Sequence, residues 1–225
     1  MKKIIPLMLM LLGAIATQAQ NRIQTYVDAG GVFSQVEGDE LKGFNHIGFN
    51  GGVGAIVHLG DRHRWAMTLE TNYNCRGIYN KKNSSDNYYN IDLDLHYVDI
   101  PLTLLFRDPY GGLEVGLGMA YSRLLAQPHG IVSFNPRFFI PDSSNMAFLK
   151  NDLAAAAEIR FTIWENLKMS IRYQRSVIPI KKEWTFHMAD RTWSNDCFNS
   201  SVTLRLLWQF GEEEKTHHKY RKRRR

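Results

Sequence analysis

Residues 201–210 read Ser-Val-Thr-Leu-Arg-Leu-Leu-Trp-Gln-Phe, with Val202, Leu204, Leu206, Trp208 and Phe210 alternating against Ser201, Thr203, Arg205 and Gln209. Successive side chains of a strand point to opposite faces, so this segment has one apolar face and one polar face. The same pattern returns in Trp65, Met67, Leu69, Thr71 and Tyr73 against Thr68, Glu70 and Asn72, and in Leu113 to Tyr121 against Glu114, Gly116, Gly118 and Ala120. Ile159, Phe161 and Ile163 oppose Glu158, Arg160 and Thr162; Leu167, Met169, Ile171 and Tyr173 oppose Lys168, Ser170, Arg172 and Gln174. A chain built this way folds as an all-β protein.

Eight extended segments are expected, at roughly 22–33, 44–59, 64–79, 90–107, 111–123, 152–164, 166–178 and 197–210. Their connections alternate between short (Gly60 to His63, Asp108 to Tyr110, Glu165) and long (34–43, 80–89, 124–151, 179–196). This asymmetry predicts an eight-stranded, antiparallel, up-and-down transmembrane β-barrel with short periplasmic turns and long external loops. Aromatics decide which face is outside. Trp65, Phe106, Phe161, Trp208 and Phe210 fall near one set of strand ends on the apolar face, and Phe33, Tyr73, Tyr121, Tyr173 and Phe198 near the other. Two aromatic girdles match the two interfaces of a bilayer, whereas a soluble barrel would keep its apolar face inside.

The polar face is then the lumen. Asp28, Glu70, Asp99, Glu114 and Glu158 face inward with Arg160, Lys168, Arg172 and Arg205. Eight strands leave room only for side chains, so these charges are expected to pair and fill the interior. Two segments fit less simply. In 90–107 the apolar parity changes between Tyr97 and Val98, which calls for a bulge or for an upper half that projects beyond the lipid. Ala154 to Ala157 are good helix formers, but Glu158, Arg160 and Thr162 continue a strand alternation.

The start of the chain sets the compartment. Lys2 and Lys3 precede the apolar run Ile4 to Ala16, and Thr17-Gln18-Ala19 offers small residues for cleavage. Residues 1–19 are expected to be a secretory signal peptide, 20–211 the barrel and 212–225 a basic, flexible periplasmic tail. The location implied is the outer membrane of a Gram-negative-type bacterium after cleavage. The whole chain has 28 Lys+Arg against 22 Asp+Glu, but the excess sits at the two ends and leaves residues 20–211 formally neutral. A nucleic-acid-binding surface is therefore not expected.

Tyr97-Val98-Asp99-Ile100-Pro101-Leu102, followed by a short turn and the glycine-spaced segment Gly112 to Gly118, resembles the PorT-like family of outer-membrane barrels. The resemblance spans essentially Gln20 to Phe210, with Asp99 where Glu is the family's residue. It implies an eight-stranded barrel, and the namesake's association with type IX protein secretion makes an accessory role in export an alternative.

No enzymatic pattern stands out. Asp92, Asp94 and His96 lie on one face of one strand at steps of roughly 7 Å, too far apart to converge on one ion without a bend. His187 with Asp190, Asp196 or Ser194 lacks a nucleophile motif, which leaves a lipid-modifying enzyme as a lesser alternative. Cys75 and Cys197 fall near the outer rim on strands that are not neighbours, which disfavours a disulfide between them and leaves the pairing open. Neither a cofactor nor a metal is expected. Phe134, Phe138 and Phe139, among Pro136 and Pro141, and Trp184, Phe186 and Trp193, near Lys181, Lys182 and Arg191, form a candidate loop surface for a protein partner or lipopolysaccharide, or a cover over the barrel mouth. The reading overall is a non-enzymatic structural or interaction component of the envelope, embedded in outer-membrane lipid.

Overall fold

The computed structural model describes residues 23–39, 43–60, 64–80, 89–108, 112–134, 140–141, 147–188 and 191–210. Eleven strands form in chain order: β1 (Ile23–Glu37), β2 (His46–Leu59), β3 (Trp65–Asn80), β4 (Tyr89–Arg107), β5 (Leu113–Leu124), β6 (His129–Phe134), β7 (Ile140–Pro141), β8 (Asn151–Thr162), β9 (Leu167–Ser176), β10 (Lys181–Met188) and β11 (Arg191–Phe210). Eight of them close a barrel. β1, β2, β3, β4, β5, β8, β9 and β11 pair in that order, and β11 returns to β1 from Thr25↔Phe210 to Glu37↔Phe198. Every pairing is antiparallel.

The three remaining strands stand above the long-loop end. β6 pairs with the upper part of β4, β10 folds back on the upper part of β11, and β7 adds to β10. The eight expected segments are the eight barrel strands; these three short additions, and the start of β11 at Arg191, were not foreseen. The predicted signal peptide and basic tail lie outside the described residues.

Side-chain alternation places apolar groups outside. Val53, Leu69, Leu102, Leu117, Met119, Ile171 and Leu206 are exposed, while Thr68, Glu70, Asp99, Thr103, Glu158, Ser170 and Arg205 are buried on the facing parity of the same sheet. A continuous exposed apolar band of this kind is stable only against lipid. Trp65 and Phe106 meet across β3 and β4 with ring centroids 5.2 Å apart near the short-turn end, and Phe49 of β2 meets Tyr73 of β3 at 5.2 Å nearer the other.

β4 resolves the parity problem without a bulge. Its register with β3 is unbroken in step from Trp65↔Phe106 to Asn80↔Ile91, so Ile91, Leu93, Leu95 and Tyr97 point inward on the same parity as Asp99 and Thr103. The upper half projects past the charged zone and lines an apolar interior there. Pairing lapses only between Leu69↔Leu102 and Asn72↔Asp99, the interval that holds Pro101, which has no N–H to donate.

A charged lumen between two apolar layers

The middle of the barrel is organised around two carboxylates on different strands. Glu70 of β3 accepts hydrogen bonds from Arg172 (2.7 and 2.9 Å), Arg205 (2.7 Å), Arg160 (2.8 Å), the Tyr26 hydroxyl (2.5 Å) and the Asn72 amide (2.7 Å). Glu158 of β8 accepts from Arg160 (2.7 Å), Arg172 (2.6 Å), Arg205 (2.7 Å) and the Ser170 hydroxyl (2.6 Å). Asp28 stands 3.3 Å from Arg205 and brings the cluster to three carboxylates and three guanidiniums. Removing such charges from water is costly, and only this degree of mutual pairing offsets it. Room for the layer comes partly from Gly54: a Cβ there would lie 2.4 Å from the Tyr26 ring, which crosses β2 to reach Glu70.

Two smaller groups flank the centre. Toward the short turns, Glu114 accepts from Lys168 at 2.6 Å and from Arg107 at 2.8 Å. Toward the long loops, Arg76 donates to Asp99, which also accepts from Asn74 at 2.6 Å, and Arg76 lies 3.9 Å from Asp152. The Arg76 guanidinium rests over the Tyr97 ring, 5.3 Å from its centroid. All nine residues assigned to the lumen from the sequence are thus buried inside the barrel, in three groups. Arg76, Asp152, Arg107 and Tyr26 were missed. Arg76 shares the parity of Glu70, and Asp152 that of Glu158, so extending the alternation outward would have found both.

Apolar clusters flank the central carboxylate group, and on the short-turn side the Glu114–Arg107 pair lies beyond Leu105. Tyr26, Ile56, Ala66, Leu105 and Leu207 pack together at the short-turn end. At the long-loop end Val36, Ile78, Ile91, Leu93, Leu95, Tyr97, Leu124, Phe148, Ile180, Trp184 and Cys197 form a larger cluster, with Trp193 packed against it.

That upper cluster corrects one part of the candidate loop surface. Trp184 is only 4 % exposed, its ring edge-on to Phe148, and Lys181 Nζ sits 5.2 Å from the Trp184 ring and 5.4 Å from that of Phe148. Trp184 covers the barrel mouth because β10 folds inward, and its indole is not a surface contact. The side chains of Phe134 and Phe186, and all of Phe138 and Phe139, lie outside the described residues.

The His187 group is only partly among the described residues. Asp196 accepts from the Glu183 backbone N–H at 3.0 Å, Ser194 is exposed on β11, and Asp190 and the side chain of His187 lie outside the described residues. On β4, Asp94 and His96 diverge: Asp94 meets His46 at 2.8 Å, and His96 meets the Tyr73 hydroxyl at 2.6 Å. Cys75 and Cys197 are buried free thiols.

Solved structures with a similar architecture include Ail, the attachment invasion locus protein of Yersinia pestis (17 % identity, TM-score 0.44, covering 84 % of this chain and 99 % of that one). Neisserial surface protein A is similar at 13 % identity and a TM-score of 0.46, covering 83 % and 97 %. A major outer membrane protein of Thermus thermophilus is similar at 11 % identity and 0.43, covering 84 % and 99 %. None of the curated proteins matches the sequence. Residues 6–210 match the family described as outer membrane protein beta-barrel domain. With its closed eight-stranded sheet and lipid-facing exterior, the chain belongs to that family and is an outer-membrane protein.

Proposed function

We propose that this barrel is a non-enzymatic, non-conducting component of the cell envelope with a structural or interaction role, its long-loop end directed outward. The observation that carries this reading is the lumen: Glu70, Glu158, Arg160 and Arg205 are each no more than 1 % exposed, and they lie between two packed apolar layers. An interior occupied in this way offers no path to a hydrated ion. Planar-bilayer recordings of the purified protein test it. The expected outcome is a quiet membrane, and reproducible steps of porin size would contradict the filled lumen.

The narrower membership in the PorT-like family rests on the Tyr97 to Leu102 motif, and with it the accessory role in export. Crosslinking from native membranes discriminates: recovery of translocon subunits supports export, and recovery of lipopolysaccharide or a surface protein supports an interaction barrel. Cleavage after Ala19 belongs to the same proposal, and the mature protein's N-terminal sequence should begin at Gln20.

A further inference from the structure

One cluster of ligating side chains lies apart from the lumen, at the long-loop end of β2, β3 and β4. β2 begins at His46, yet its pairing with β3 starts only at Asn50↔Asn74. Above that point Ser34 of β1 takes over the Gly77 backbone of β3: Gly77 N–H donates to Ser34 Oγ at 2.9 Å, and Ser34 Oγ donates to the Gly77 carbonyl at 3.4 Å. The His46 imidazole fills the notch that Gly77 leaves, since a Cβ there would lie 2.6 Å from Nε2. From this seat Nε2 reaches side chains on the outward parity of the neighbouring strands. Asp94 Oδ1 is 2.8 Å away, and Cys75 Sγ is 3.8 Å from the same oxygen.

We propose that His46, Cys75 and Asp94 form a binding site for a divalent transition-metal ion of the zinc class. Their ligating atoms all lie within 4.8 Å of one another. In a tetrahedral zinc site such atoms are roughly 3.3–3.6 Å apart, given Zn–N of about 2.0 Å and Zn–S of about 2.3 Å. The pair at 2.8 Å opens slightly and the wider ones close slightly to admit the ion. One imidazole, one thiolate and one carboxylate suit a borderline-soft cation better than calcium or magnesium, which take oxygen alone.

The surroundings hold the donor in place. Ser34 Oγ is 3.1 Å from His46 Nδ1. With the serine proton given to the Gly77 carbonyl, Nδ1–H donates to Oγ, and the Nε2 lone pair faces the Asp94 carboxylate, an arrangement that a cation between them completes. His46 and Cys75 are buried, whereas the Asp94 side chain is 52 % exposed, so the ion enters past Asp94 and a water takes the fourth position. Binding displaces the Cys75 thiol proton to solvent. The ion then ties the first residue of β2 to β3 and β4, where the backbone ladder is missing.

The test uses the full-length barrel folded in detergent, stripped with a chelator and titrated with Co2+ as a spectroscopic probe, followed by displacement with Zn2+. The expected result is a thiolate-to-cobalt charge-transfer band that saturates at one equivalent and disappears on adding Zn2+. Cys75→Ser should abolish the band, His46→Ala should weaken binding at least tenfold, and Ser34→Ala should weaken it by about 10–100-fold. Cys197→Ser should leave it unchanged. Heat-modifiable migration on gels establishes that each variant is folded. Absence of the band from the wild-type protein overturns the proposal, as does its persistence in Cys75→Ser. So does labelling of Ser34 by a fluorophosphonate in protein that takes up no Co2+, which would make Ser34, His46 and Asp94 a hydrolytic relay.

Discussion

Glu70 shows how one residue can govern a barrel interior. Arg160, Arg172 and Arg205 come from β8, β9 and β11, and Tyr26 from β1, so a single carboxylate on β3 ties together the far sides of the barrel. Glu70→Gln leaves three guanidiniums facing Glu158 and Asp28 alone. Loss of one partner from a buried ion cluster costs about 3–5 kcal/mol. Urea titration of the folded barrel in lipid vesicles, followed by heat-modifiable migration, should show a loss of that size. A change below about 1 kcal/mol would mean that the cluster contributes little beyond filling space. On the opposite face, Leu117 lies midway along β5 and is 70 % exposed. Leu117→Arg should cost roughly 2–4 kcal/mol in the same assay, because the guanidinium would enter hydrocarbon.

At the scale of elements, the barrel strands were legible because membrane barrels write their inside and outside as a period of two. The Ala154 to Ala157 stretch shows the strength of that signal: local helix preference gives way once its strand partners on β5 and β9 are in place. Three things stayed hidden. β6 and β10 pair with the upper parts of β4 and β11, which rise above the barrel and offer an edge, and β7 pairs in turn with β10; Trp184, Phe186 and Met188 alternate with Thr185 and His187, but the segment is too short to read as a membrane-spanning strand. The inward face of upper β4 turns apolar where the lumen changes from charge to a packed cap, which in sequence looks like a slip of parity. The seat of His46 depends on β2 leaving β3, and nothing local to His46 signals that. The cap makes its own prediction. Trp184→Ala should remove about 3–5 kcal/mol from that layer, and limited proteolysis should then cut the β10–β11 hairpin faster while the heat-modifiable barrel band persists. Simultaneous loss of the band would mean that the cap and barrel unfold together.

For the whole molecule, the charge asymmetry of the sequence and the neutrality of its middle have separate consequences. Residues 20–211 are formally neutral, and the basic excess is left to the two ends of the chain. Truncation that removes Lys215 to Arg225 should leave heat-modifiable folding unchanged. Loss of the folded band would assign the tail a structural role. Apolar side chains surround the cylinder while charged ones occupy its middle. Nitroxide scanning of residues 167–174 on β9 in lipid vesicles, with Cys75 and Cys197 replaced by serine, tests this arrangement. Oxygen-collision accessibility should peak at 167, 169, 171 and 173 and fall at 168, 170, 172 and 174; the opposite phase, or no period of two, would put the polar face against lipid.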